Sequence, residues 1–278
     1  MDTFAEQELA PDTIDAELNY YAGEGGSPIS LVAEPGGRDL RIGEARSEAH
    51  RVAIRNGRPL ADKFALDRDG FRFVRHDTRV ADFYDEGEIA RVYYPEMEAL
   101  VKRESGASRV VVFDHTLRTE DDRLREDRKI REVVRRVHND YTEDSAPKRV
   151  RDLMGGEAET LLQGRFAIVQ VWRPIRHPVE TWPLAICDAR SLDERDLVVT
   201  ERRYQNRTGQ TYAIRYNPEQ GWYWFPRMRR DEALVFKVYE SQRDGRARWT
   251  AHTAFDDPNA PPNARPRESI EIRTLAFF

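Results

Sequence analysis

The second half of the chain is a succession of short apolar runs and apolar–polar alternations. Residues 132–139, 165–173, 183–188, 197–203, 211–216, 221–225, 232–239, 249–255 and 269–277 each read as a strand, with Pro- and Gly-marked turns between them. Strands this closely spaced, without regular helices between them, point to a sandwich or jelly roll rather than β-α units. A helix around Ala146–Leu162 is the one expected interruption. Upstream, LDRDGFRFVRHDT (66–78) is a turn leading into a strand at Phe71–Val74. A helix follows, acidic at Asp82–Glu88, apolar at Tyr94, Met97, Leu100 and Val101, and stopped by Gly106. The β-branched run Arg109–Phe113 predicts a buried strand. Gly23, Gly25, Gly26, Pro28 and Pro35-Gly36-Gly37 predict loops and short strands near the start. The charged stretch 120–136 reads as a water-facing helix or insertion without chemistry. The expected architecture is mainly β with flanking helices, a mixed α/β layer at 1–108 packing on a catalytic core at 109–278, in one compact domain.

Composition narrows the function classes. With 39% hydrophobic and 10% aromatic residues the 278-residue chain can build a full core. A net charge of −5 argues against a dedicated nucleic-acid binder but leaves room for a local basic pocket. Cys187 is the only cysteine, so no internal disulfide and no Cys-based zinc or iron–sulfur site is expected. The opening MDTFAEQELAPDT lacks the basic and apolar regions of a secretory signal, and runs such as VVVF (110–113) are too short to cross a bilayer. A cytoplasmic, reducing location is expected, with no membrane association.

The candidate chemistry is His138-Asn139-Asp140 at the end of a strand-like run. Residues i and i+2 share a strand face, so one imidazole and one carboxylate can reach a single cation. His252, in the strand-like segment Thr250–Phe255, is the natural third ligand; two imidazoles and a carboxylate suit ferrous iron and leave open positions. His50, His76 and His177 are poorer candidates, and His115 reads as a hydrogen-bonded structural or pocket residue. Fifteen and seventeen residues beyond His252, Arg267 and Ser269 share a face and can grip a carboxylate together; Arg273 follows on the same segment.

Together RVHNDYT (136–142), FAIVQVWRPI (166–175), PLAICDARS (183–191), TAHTAFDDP (250–258) and PRESIEIR (266–273) resemble the CmcJ/NvfI family of Fe(II)/2-oxoglutarate-dependent oxygenases, over roughly residues 40–278. The resemblance implies a double-stranded β-helix (jelly-roll) core, with iron(II), 2-oxoglutarate and O2. It also implies oxidation of an unactivated C–H bond in specialised metabolism: hydroxylation, desaturation, cyclisation or endoperoxidation. Carried over by motif, the metal falls to His138, Asp140 and His252. The 2-oxoglutarate carboxylate falls to Arg267 and Ser269, with Arg273 the alternative should the longer loop shift the register. A small-molecule substrate follows, and the family likeness leaves open a homodimer or a complex with a partner biosynthetic enzyme.

Around that centre, Gln170 can hydrogen-bond the co-substrate or tie two strands, and it shares a face with Trp172, opposite to Arg173. Tyr141 is placed to line the pocket. Trp222 and Trp224 share one face of an aromatic run, as a pocket wall or as core packing. Two rival readings are a cupin-like metal dioxygenase or isomerase acting without 2-oxoglutarate, and a metal-free ligand-binding β-sandwich.

Overall fold

The computed structural model describes residues 10–23, 28–32, 40–42, 46–205 and 208–278; the expected loops at Gly25-Gly26 and Pro35-Gly36-Gly37 lie outside them. The first strands are β1 (Thr13–Tyr21), β2 (Ile29–Leu31), β3 (Leu40–Ile42), β4 (Ser47–Asn56), β5 (Phe71–Arg75) and β6 (Arg109–Thr119). Then come β7 (His138–Asn139), β8 (Phe166–Pro174), β9 (Leu184–Cys187), β10 (Leu197–Arg203) and β11 (Thr208–Ile214). The last are β12 (Trp222–Trp224), β13 (Glu232–Glu240), β14 (His252–Ala254) and β15 (Glu268–Phe277). They form a ten-stranded sheet, ordered β1-β4-β12-β9-β14-β7-β11-β10-β2-β3, and an antiparallel five-stranded sheet, β5-β13-β8-β15-β6. Facing sheets of this kind make the expected jelly roll.

Alternation along the strands sorts the side chains into layers. Ile186, Tyr223 and Phe225 from the larger sheet meet Trp172, Leu234, Phe236 and Leu275 from the smaller one in the central core. Their neighbours Ala185, Cys187, Trp222 and Trp224 take the other face of the larger sheet, against Leu18, Tyr20 and Ile54. The outer face of the smaller sheet, with Val169, Val171, Ile270 and Ile272, is covered by helix α1 (Tyr94–Ser105). The preceding turn starts where the Asp85 carboxylate accepts from the amides of Gly87 and Glu88. Gly106 ends α1 in the left-handed conformation, φ 75°. Met97, Leu100 and Val101 are fully buried beneath it, each contributing about 1.5–3 kcal/mol by removal from water.

One expected strand is absent. Residues 132–137 form no ladder, and β7 is only two residues long. The reason lies in where the backbone bonds go. Arg131 donates to Leu117 at the edge of the smaller sheet, whereas Val137 donates to Asn19 in β1 of the larger one. The segment thus crosses from one sheet to the other and cannot pair along either. It is also not the solvated insertion that its charge suggests: only residues 122–128 are helical, and 128–137 line the central cavity.

Gly70 joins the two sheets at φ 86°, and its carbonyl accepts from the Lys237 amide at 2.8 Å and the Thr250 hydroxyl at 3.0 Å. A Cβ there would lie 2.3 Å from Thr250 Oγ1 and 3.0 Å from the Ala189 Cβ. Gly70→Ala is expected to destabilise the protein by about 2–4 kcal/mol, combining left-handed strain with overpacking. The measurement is a urea melt, whose midpoint should fall while its slope stays unchanged.

Candidate metal centre and its cavity

Three neighbouring strands converge on the site. β14 pairs with β7 so that His252 lies opposite His138, and β9 supports β14 from the other side. Next to His138 on β7, fully buried Asn139 acts as a clasp. Its amide nitrogen donates to the carbonyls of Tyr141 and Val238, and its oxygen accepts from the Thr250 amide at 3.2 Å. Asp140 follows directly, just beyond the strand. Ligand atoms from His138, Asp140 and His252 all lie within 4.8 Å of one another, with His138 Nε2 3.5 Å from Asp140 Oδ1.

Hydrogen bonding selects the tautomers. His138 Nδ1 faces the Arg136 carbonyl at 2.8 Å, and His252 Nδ1 faces the Thr250 carbonyl at 3.1 Å. A carbonyl oxygen only accepts, so both Nδ1 atoms carry the proton and both Nε2 atoms present lone pairs. His252 Nε2 is buried with no hydrogen-bond partner among the described residues. An orphaned lone pair beside a carboxylate and a second imidazole is what a cation would satisfy, and the donor set fits ferrous iron. Burial, reinforced by His252, pushes His138 down to about 3, so it stays neutral. Burial alone would raise Asp140, but the Arg273 guanidinium, then the two imidazoles and the Gln170 hydrogen bond, hold it well below the usual carboxylate range.

Gln170 and Arg273, partners across β8 and β15, both reach Asp140 Oδ2. Gln170 Nε2 donates to it at 2.6 Å, and Arg273 Nε and an η nitrogen at 3.3 Å. Arg273 also contacts Thr116, Asp114 and Glu271, so its charge is already matched by carboxylates. Arg267 differs. It is 3% exposed; one η nitrogen donates to the Trp182 carbonyl, its guanidinium lies 5.4 Å from the centre of the Trp172 ring, and Nε is buried without a partner among the described residues. Ser269, at 1% exposed, likewise has a partnerless hydroxyl. Burial pushes Arg267 down to about 9, against the pull of Glu120. Trp172 is two positions beyond Gln170 on β8, roughly 7 Å along the strand.

A cavity of about 1260 Å³ opens onto His138, Asp140, Tyr141 and Arg273. Trp222 and Trp224 do not line it. They are buried on the far face of the larger sheet, because strand alternation sends them away from the centre. Trp172 stays on the inner face but under Arg267, and Arg173 points outward to His76, as the alternation requires. His115 lies at the cavity wall, hydrogen-bonded to Tyr94 at 2.8 Å. Sequence reasoning missed Thr116, Arg118 and Arg149 in this wall. Thr116 and Arg118 were legible in principle, as an i, i+2 continuation of the Arg109–Phe113 strand; Arg149, on helix α2 (Ser145–Met154), had no sequence signal.

The fold and this centre define a jelly-roll protein with a two-histidine, one-carboxylate facial cluster. A family profile described as Oxidoreductase/YMDC permease-like domain matches residues 18–277. The hydroxylase/desaturase asaB of Aspergillus flavus is 43% identical over 280 residues, 95% of each chain. The Fe(II)/2-oxoglutarate-dependent dioxygenase nvfI of Aspergillus novofumigatus is 36% identical over 235 residues, 82% of this chain and 83% of its own. The solved structure of the iron and alpha-ketoglutarate-dependent endoperoxidase NvfI superposes with a TM-score of 0.84 at 31% identity, covering 96% of this chain and 98% of that one. This chain belongs to their family of Fe(II)/2-oxoglutarate-dependent dioxygenases. The likeness favours 2-oxoglutarate chemistry over the cupin-like alternative, and among the described residues no helix is long and apolar enough to cross a membrane.

Gln170 orients the Asp140 carboxylate without itself joining the cluster. Gln170→Leu is expected to weaken cation binding about tenfold while leaving the fold intact. Anaerobic titration with Co(II), followed by its visible absorption, checks this.

Proposed function

We propose that the protein oxidises a C–H bond of a small specialised metabolite, using iron(II) held by His138, Asp140 and His252 and 2-oxoglutarate anchored by Arg267 and Ser269. The observation that carries this reading is the pair of imidazole Nε2 lone pairs, fixed by Nδ1–carbonyl bonds and aimed at one carboxylate. When bound, iron and 2-oxoglutarate supply activation of dioxygen, with succinate and carbon dioxide as co-products.

The chain's own residues do the rest. Asp140 brings one negative charge, and Gln170 and Arg273 hold its second oxygen so that the first faces the imidazoles. Arg273 serves as this orienting group, since its own carboxylate neighbours satisfy it. Arg267 and Ser269 suit the anchor because both have unmet donor capacity in a buried setting. The Arg267 guanidinium lies over Trp172, two residues beyond Gln170 on β8, and Ser269 lies opposite Pro174, so a diacid would run along this strand pair from the anchor toward the centre. Phe236 packs on His252 at 4.8 Å between ring centres and keeps water from that side of the imidazole. Tyr141 borders the substrate cavity next to Asp140. The buried, unpaired Cys187 is compatible with the reducing cytoplasm, where we place the enzyme.

Anaerobic titration with Fe(II) and then 2-oxoglutarate tests the assignment through the visible charge-transfer band. The wild type should develop the band, and Asp140→Ala and His252→Ala should abolish it. Arg267→Leu should raise the 2-oxoglutarate midpoint about 30- to 100-fold while Fe(II) still binds, the loss of a charge-assisted pair of bonds. An unchanged midpoint in Arg267→Leu would remove that residue from the anchor.

A further inference from the structure

We infer that the substrate oxidised in this cavity is an organic acid, bound as its anion by Arg118 and Arg149. This rests on the oxygenase reading above and adds the substrate class to it.

The first support is the charge of the wall. Nine Lys and Arg residues line the cavity against four Asp and Glu, in a chain whose net charge is −5. The positive excess is therefore local to the cavity and is not a property of the whole molecule. Such a concave, one-sign surface concentrates ligands of the opposite charge.

The second is that two particular residues have no carboxylate in ion-pair contact, although Glu271 and Asp140 act on Arg118 from further off. Other buried cations of the fold are closely paired with carboxylates, Lys237 with Asp67 and Glu240, Arg58 with both oxygens of Glu232. In the cavity, an η nitrogen of Arg118 donates to the Glu132 carbonyl at 2.8 Å, a neutral acceptor. Arg149 engages the Tyr141 hydroxyl and lies 5.6 Å from the centre of the Phe113 ring. Among the described residues, neither has a carboxylate within 4 Å. Burial also pushes Arg118 below its ordinary value, a cost that an incoming anion would offset.

The third is position. Arg118 lies opposite Ser269 in the β6–β15 register, and Arg149 contacts Tyr141, the residue after Asp140. They therefore approach the proposed metal centre from different elements. An acid group held there leaves the remainder of a larger molecule to fill about 1260 Å³, more room than 2-oxoglutarate needs. Arg267 and Ser269, which answer for the co-substrate, are not in this wall.

A matched pair of dyes separates charge recognition from plain apolar binding. The sulfonated 1-anilinonaphthalene-8-sulfonate and the neutral N-phenyl-1-naphthylamine are titrated by fluorescence into anaerobic protein carrying Fe(II) and saturating 2-oxoglutarate. The sulfonate should bind about tenfold more tightly than the neutral dye, and Arg149→Gln and Arg118→Gln should each remove about tenfold for the sulfonate alone. Unchanged binding of the neutral dye shows that a variant keeps its cavity; should Arg118→Gln fail to fold, Arg149→Gln carries the test. Equal affinity for the two dyes overturns the inference, as does equal weakening of both in the variants. Sulfonate binding seen on the Fe(II) protein without 2-oxoglutarate and lost once 2-oxoglutarate is added also overturns it, since the anion site would then be the co-substrate's. Calorimetry of 2-oxoglutarate on the Fe(II) protein is run separately: if it does not bind, the oxygenase reading fails, whatever the dyes do.

Discussion

The antiparallel register that sets His252 of β14 against His138 of β7 is the constraint on which the site depends. Side chains on a strand alternate, so a slip of one residue would turn either imidazole to the far face of the larger sheet, among Trp249, Ala251 and Val137. Two strands this short cannot hold their own register by ladder bonds. Asn139 does so instead, with two buried hydrogen bonds that tie β7 to Val238 and Thr250 and a third that fixes the turn at Tyr141. The same residue holds Asp140 just past the strand end. The geometry of the cluster thus follows from one amide side chain and two backbone carbonyls that select the tautomers.

Around this frame the arginines divide by what already neutralises them. Arg273 sits among Asp140, Glu271 and Asp114 and behaves as part of the support for the carboxylate. Arg267 and Ser269 are deeper, with donor atoms that no described residue meets. A buried guanidinium with unmet capacity is costly unless a ligand completes it. That difference in satisfaction, more than nearness to the cluster, separates the proposed anchor from the orienting residue.

The crossing segment 128–137 connects this inner chemistry to the cavity. It spends its backbone bonds on two sheets and so presents side chains to the space between them. Its charge, which in isolation suggests a solvated stretch, becomes much of the cationic wall.

Most strands from Phe71 onward, helix α1 with its Gly106 stop, and the inward or outward sense of Gln170, Trp172 and Arg173 were legible in the chain, because periodicity and turn chemistry are local properties; the long β1 and β4 were not, nor was the loss of the strand expected at 132–137. His138, Asp140 and His252 were legible as candidates because an H-x-D pair and a distant strand histidine are rare enough to notice. Their meeting was not legible, since it depends on which strands become neighbours. Trp222 and Trp224 illustrate the same limit: alternation correctly put them on one face, but only the sheet order decided that this face looks away from the cavity. Arg118 and Arg149 come from a strand edge and a helix with no shared motif, and only packing brought them to one wall. The sequence alone carried most of the elements and the supply of ligand types. Tertiary structure decided register, convergence and burial, because these are set by contacts between residues more than a hundred positions apart, and no local pattern encodes them.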